Sequence, residues 1–144
     1  MPALMPYLCF SDAPAAIEFY RDAFGAEEIV RLADTRRGKL GHVELRVFDA
    51  VLMLADEFPE HGVLSARSIG GSPVRLHLRV PDVDRATERA LAAGATLKRP
   101  PADEFYGERT ATIEDPFGYT WVLTRRIEDV DSAELLRRWQ AMMA

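Results

Sequence analysis

The strongest constraint on how this chain folds is that it runs one structural programme twice. The first pass opens with the apolar run Leu4–Phe10, which reads as a strand. Ser11-Asp12 then offers an N-cap, Pro14 suits a first helical turn, and Gly25 closes the segment as the residue just past a helix end. Between them Ile17, Tyr20 and Phe24 recur at helical spacing, and Phe19 widens the stripe. The strands Glu28–Ala33, Leu40–Phe48 and Val51–Ala55 follow, joined by a polar turn around Asp34–Gly38 and by the tight Asp49-Ala50. The second pass has a strand at Val74–Val80 and a helix capped by Asp82 or Asp84 that carries Val83, Ala86, Ala90 and Leu91. Gly94 ends it, and the strands Ala95–Arg99, Arg109–Glu114 and Tyr119–Arg125 complete the set. Gly25-Ala26 recurs as Gly94-Ala95 at an offset of 69, and the cap Asp12 recurs as Asp82 at 70. A repeat this long implies two structural copies packed together, not a solenoid. Segment 62–73, rich in Gly, Ser and Pro, reads as the connector.

Size and charge set bounds on function. At 144 residues, with 48% hydrophobic and 28% charged residues, the chain has the balance of one ordinary globular domain. The formal net charge of −5 gives no basic field for nucleic acid or anionic lipid. No apolar run approaches the roughly 20 residues that span a bilayer, and Met1-Pro2-Ala3-Leu4 lacks the basic head of a secretory signal. A lone Cys9 forms no internal disulfide, which fits a reducing cytoplasm. The tail has its own pattern: Asp131 with Glu134 makes a capping-box-like start, and Leu135, Leu136, Trp139, Met142 and Met143 form one stripe opposite Arg137, Arg138 and Gln140. A helix there packs most simply on its own domain, with docking on a second subunit as the alternative.

Several stretches taken in order resemble a known superfamily. They are Pro6-Tyr7-Leu8, Ala16-Ile17-Glu18-Phe19-Tyr20, Phe24-Gly25-Ala26, Leu52-Met53-Leu54-Ala55-Asp56, Tyr106-Gly107-Glu108-Arg109 and Asp115-Pro116-Phe117-Gly118. Each alone is weak, since Asp-Pro-Phe-Gly is simply a good turn. Their order and spacing over about residues 4–125 resemble the vicinal oxygen chelate superfamily (glyoxalase, bleomycin resistance, extradiol dioxygenase), and within it the PhnB-like branch. The resemblance implies an α+β fold of two βαβββ modules whose mixed sheets curl into an open barrel with helices outside, often completed as a homodimer. The expected organisation is one domain over 1–127, with module one at 4–61 and module two at 74–127, followed by a C-terminal helix in 128–144.

Strand alternation assigns the faces. Val43, Leu45 and Val47 share one face of their strand, leaving His42, Glu44 and Arg46 on the other; Leu76, Leu78 and Val80 oppose Arg75, His77 and Arg79. By the superfamily's geometry the polar faces look into the cavity, although solvated faces of open sheets would show the same pattern. Metal-dependent relatives hold a divalent ion with one residue on the first and last strand of each module, and the resemblance puts Met5, Met53, Arg75 and Val122 at those positions. Two thioethers, a guanidinium and an isopropyl group do not suit a divalent cation. A relocated metal site at His42, Glu44 and His77 is the alternative.

The leading expectation is a protein that binds a small polar or anionic molecule without the usual metal and without another cofactor. Arg46, Arg75 and Arg79 would act as donors, Tyr7 and Tyr106 as aromatic walls, and His42 or His77, with Glu44, as acid–base groups. Trp121 reads as a core residue on the opposite side and His61 as surface. The alternative is a divalent-metal-dependent lyase, isomerase or dioxygenase using His42, Glu44 and His77. A third reading is a drug-sequestering resistance protein; the net charge permits it, but the expected pocket is not acidic. The segment around Tyr106-Gly107 either closes over the cavity mouth or is pinned to the body by its aromatics and Pro100-Pro101.

Overall fold

The computed structural model describes residues 2–144. Its first half is β1 (Tyr7–Phe10), α1 (Ala13–Phe24), β2 (Glu27–Asp34), β3 (Lys39–Val47) and β4 (Ala50–Asp56). After a 3₁₀ turn at Pro59–His61 and the short α2 (Ala66–Ile69) come β5 (Arg75–Arg79), α3 (Val83–Ala93), β6 (Thr96–Asp103), β7 (Glu108–Glu114), β8 (Thr120–Arg126) and α4 (Ser132–Met143). Two four-stranded mixed sheets result, ordered β1-β4-β3-β2 and β5-β8-β7-β6, and neither closes on itself. In each, the first strand runs parallel to the last and the remaining pairs are antiparallel. The α+β duplication expected from the sequence is therefore present.

The caps form as their chemistry dictates. The Asp12 carboxylate accepts from Ala15 N at 3.1 Å and that of Asp82 from Arg85 N at 3.0 Å, satisfying first-turn donors of α1 and α3. Gly25 ends α1 with φ +68°, a left-handed conformation that glycine adopts without a Cβ penalty. Two expectations need correction. β6 does not stop at Arg99 but runs through Pro100-Pro101 to Asp103; it is an edge strand, where a proline's missing N–H costs no ladder bond, and its register shifts between Arg99 and Ala102. The connector also contains α2, capped by Ser65 Oγ accepting from Ser68 N at 3.2 Å.

Both helices and the apolar faces of both sheets merge into one core. It includes Phe10, Ile17, Tyr20, Phe24, Val43, Leu45 and Leu54 from the first half and Leu78, Ile113, Trp121 and Leu123 from the second. Buried Asp115 joins the halves. Its carboxylate accepts from the Tyr20 hydroxyl at 2.5 Å, from Trp121 Nε1 at 2.9 Å, and from the backbone N–H groups of Phe117 and Tyr119. Burial pushes the carboxyl above the usual range, and these four donors pull the other way. Tyr119, on the same turn, reaches the free edge of β1: its hydroxyl donates to Cys9 O at 2.7 Å and accepts from Cys9 N at 3.2 Å. Within the first half Asp56 does comparable work, accepting from Ala13 N and Leu40 N, both at 2.7 Å.

Asp115→Ala strands a buried hydroxyl, an indole N–H and two backbone donors. We expect a loss of about 3 kcal/mol or more in urea unfolding. A loss below about 1 kcal/mol would mean that the halves are held without this carboxylate.

Candidate functional site

The side of each sheet that turns away from the shared core is the polar one, as alternation requires. On β3, Val43, Leu45 and Val47 are buried in the core, while His42 and Glu44 are half-buried and Arg46 is exposed on the opposite face. On β5, Leu78 is buried and Arg75, His77 and Arg79 are exposed. Val51, Ala55 and Val122 confirm the division: they are buried yet lie outside the core cluster, on the polar side.

Cross-strand register turns these positions into rows. On the first sheet Tyr7 stands beside Met53, Met53 beside Glu44, and Glu44 beside Val30. His42 Nε2 lies 2.9 Å from Glu44 Oε2, and the Tyr7 ring stacks on the imidazole with centroids 6.2 Å apart. A carboxylate that fixes one ring nitrogen orients the imidazole and favours a proton on that nitrogen. Burial pushes both the Tyr7 hydroxyl and the Cys9 thiol up, so each keeps its proton at neutral pH. On the second sheet one row runs His77, Val122, Thr112, Arg99 and the next Arg79, Thr124, Thr110, Ala102.

Of the positions the resemblance assigned to metal ligands, Met53 and Val122 sit within these rows and Arg75 opens β5 opposite Thr120. Met5 lies just before β1, where Pro6 O accepts from Met53 N at 3.0 Å. That donor set does not fit a hard divalent cation: thioethers are weak, soft ligands and a guanidinium has no lone pair to give. Among the described residues no three His, Cys, Asp or Glu side chains converge as a metal cluster. Within one chain, His77 thus does not join the His42–Glu44 pair. Trp121 is a core residue, as its alternation required, and His61 is exposed.

The loop 104–107 is tied down from three sides. Glu104 accepts from the Thr110 hydroxyl at 3.3 Å on the polar face, and Tyr106 sits near the same threonine. Gly107 O accepts from the N–H groups of Ile127 and Glu128, and at φ +87° a Cβ on Gly107 would overlap the Glu128 carbonyl. From α4, Arg138 donates to Phe105 O at 2.8 Å and pairs with Glu128 and Glu134, while Trp139 packs against Phe105 at 5.9 Å. The helix itself has no buried residue. The expected packing on the domain is thus a limited anchorage: an apolar groove of about 460 Å³ remains between Phe105, Tyr106, Leu135, Leu136 and Trp139.

With the geometry in place, the comparisons give the kinship. Residues 4–123 match the Glyoxalase/Bleomycin resistance protein/Dioxygenase superfamily, and the chain belongs to it. It is 40% identical over 137 residues to the uncharacterized protein Mb0911c of Mycobacterium bovis, covering 93% of this chain and 90% of that one. Rv0887c of Mycobacterium tuberculosis, also uncharacterized, matches at 40% over 137 residues, covering 93% and 80%. Among solved structures, TioX from Micromonospora sp. ML1 superposes with a TM-score of 0.69 at 24% identity, covering 88% of this chain and 99% of that one. The fosfomycin resistance protein FosX from Listeria monocytogenes gives 0.67 at 18% identity, covering 94% and 99%. These two likenesses speak to the fold.

Sequence reasoning missed Asp115 and Tyr119 as joints between the halves, and the threonines of the second polar face. The strap on loop 104–107 carries a pH dependence. Arg137 and then Arg138 hold the Glu134 carboxylate down to about 2. A folded pKa below the unfolded value contributes stability that is present above about 4.3 and lost as pH falls towards about 2. Amide exchange across 132–143 should therefore stay protected at pH 5–7 and quicken, relative to the intrinsic rate, as pH falls from about 4.3 to 2. Equal protection at both ends would remove these ion pairs from the anchorage.

Proposed function

We propose that this protein binds a small polar or anionic molecule over the polar faces of its two sheets, without the divalent ion many relatives use. Arg46, Arg75, Arg79, Tyr7 and Tyr106 are its ligand contacts. The observation that carries this reading is the state of the arginines. Among the described residues Arg46, Arg75 and Arg79 make no ion pair and no side-chain hydrogen bond; Arg21, Arg36, Arg85 and Arg125 share that state, but these three are the ones on the polar faces of β3 and β5. Guanidinium groups left free on such a surface suit carboxylate or phosphate.

We further propose a homodimer in the PhnB-like branch, at work in a reducing cytoplasm. Both polar faces turn away from the common core, and Tyr7, Arg46, Arg75, His77 and Arg79 on them are exposed. Tyr7 is 45% exposed and Leu32, beside His42, is 59% exposed, which suits a face that a second copy covers. His42, oriented by Glu44, is the acid–base candidate, and His77 the other. A competing reading keeps a metal: the His42–Glu44 contact supplies two donors, and His77 would come from the second copy. It would make the protein a metal-dependent lyase, isomerase or dioxygenase.

Metal analysis of the purified protein with a thermal-shift screen separates the two. We expect no stoichiometric metal, a melting temperature unmoved by Mg, Mn, Ni, Fe or Zn ions, and a dimer by sedimentation. A stoichiometric metal lost in both His42→Ala and His77→Ala would instead establish the metal-dependent reading.

A further inference from the structure

One polar atom in the chain is out of place by the rules that govern the rest. The Thr124 hydroxyl is buried, with the residue 3% exposed, and among the described residues it is the single buried side-chain oxygen or nitrogen without a hydrogen-bond partner. Buried hydroxyls are nearly always satisfied, and an orphan costs the desolvation of its group. Thr124 alternates with Leu123, which lies in the core, and so points to the polar side of β8. Its neighbours across the sheet are Arg79 on one side and Thr110 on the other.

The charges around it have an order. The acids of this face are largely engaged: Glu104 takes the Thr110 hydroxyl and Arg99 Nη2, at 3.3 and 3.4 Å, and Glu114 pairs with Lys98 at 3.0 Å. Glu108 stands opposite Arg126. Arg79 is exposed and, among the described residues, pairs with no carboxylate. A free guanidinium and an unused hydroxyl thus stand on directly paired residues of adjacent strands, whose backbones are about 5 Å apart, and both are donors of the kind an oxyanion accepts from.

We infer that Arg79 and Thr124 form an oxyanion subsite on the polar face of the second sheet, taking the carboxylate or phosphate group of the ligand. The guanidinium supplies charge and two parallel donors, and the hydroxyl supplies a directed third. Thr110 is kept out of this role by Glu104, which leaves Thr124 as the hydroxyl that selects the anion. The hydroxyl is closed to solvent, so an anion reaches it by local opening of the side chains around Thr124. This inference rests on the reading of the polar faces as the ligand surface.

The test is calorimetric titration of the full chain with inorganic phosphate and, separately, with acetate, alongside Thr124→Val, Arg79→Gln and His42→Ala; phosphate against acetate tells which oxyanion is preferred. We expect one of the anions to bind, about tenfold or more weaker in Arg79→Gln and several-fold weaker in Thr124→Val. Without anion, Thr124→Val should melt at or above the wild-type temperature, since it deletes an unsatisfied group. A Thr124→Val protein that melts several degrees lower without anion would show that the hydroxyl has a structural partner and would overturn the inference. Anion binding weakened by His42→Ala but unchanged by Arg79→Gln and Thr124→Val would also overturn it, while leaving the polar-face reading intact. No binding of either anion would overturn the subsite, and failure of every small polar compound to bind would overturn that reading as well.

Discussion

The carboxylate of Asp115 is the tie on which the rest of the structure depends. It gathers donors from α1 of the first half and from β8 and its preceding turn in the second, so a helix of one module is bonded to a strand and turn of the other. Around it lie Phe10, Tyr20, Phe24, Phe117, Tyr119 and Trp121, with ring centroids 5.1 to 6.4 Å apart in mostly edge-on pairs. Such contacts add to the burial of the rings and fix their angles. Because this junction consumes the apolar faces of both sheets, the polar faces lie on the sides turned away from it. The position of the candidate site thus follows from how the core is tied.

Much of this was legible in the chain. Period-two alternation placed His42, Glu44, Arg46, Arg75, His77 and Arg79 on one kind of face, because a strand has two sides and the core claimed Val43, Leu45, Val47 and Leu78. Caps were legible because Asp12, Asp82 and Asp131 act locally, each bonding a backbone N–H three residues on. What failed was whatever depends on partners distant in sequence. Asp115 reads as the first residue of a good turn, yet its role comes from Tyr20, 95 residues away. Prolines 100 and 101 signal the end of a strand unless the strand is known to be an edge. Thr110, Thr112 and Thr124 are ordinary strand formers, and only packing shows which hydroxyl is left over. The stripe on α4 suggested burial, but the helix is held mainly by Arg138 and one aromatic contact.

The two polar faces are unlike in a way that suits one ligand with different ends. The first offers an aromatic ring over an oriented imidazole–carboxylate pair; the second offers unpaired guanidinium groups and threonine hydroxyls. The two sheets share one strand order, while their polar rows carry different side chains. Met53 and Val122 stand in these rows, outside the core cluster.

The central claim is that the polar faces, and not the groove beside α4, receive the ligand. The most direct measurement is an NMR titration of the assigned protein with a set of small carboxylates and phosphates. The account predicts amide shifts centred on Tyr7, His42, Glu44, Arg75, His77, Arg79 and Thr124. Shifts confined to Phe105, Leu135, Leu136 and Trp139, with those strands unmoved, would contradict it.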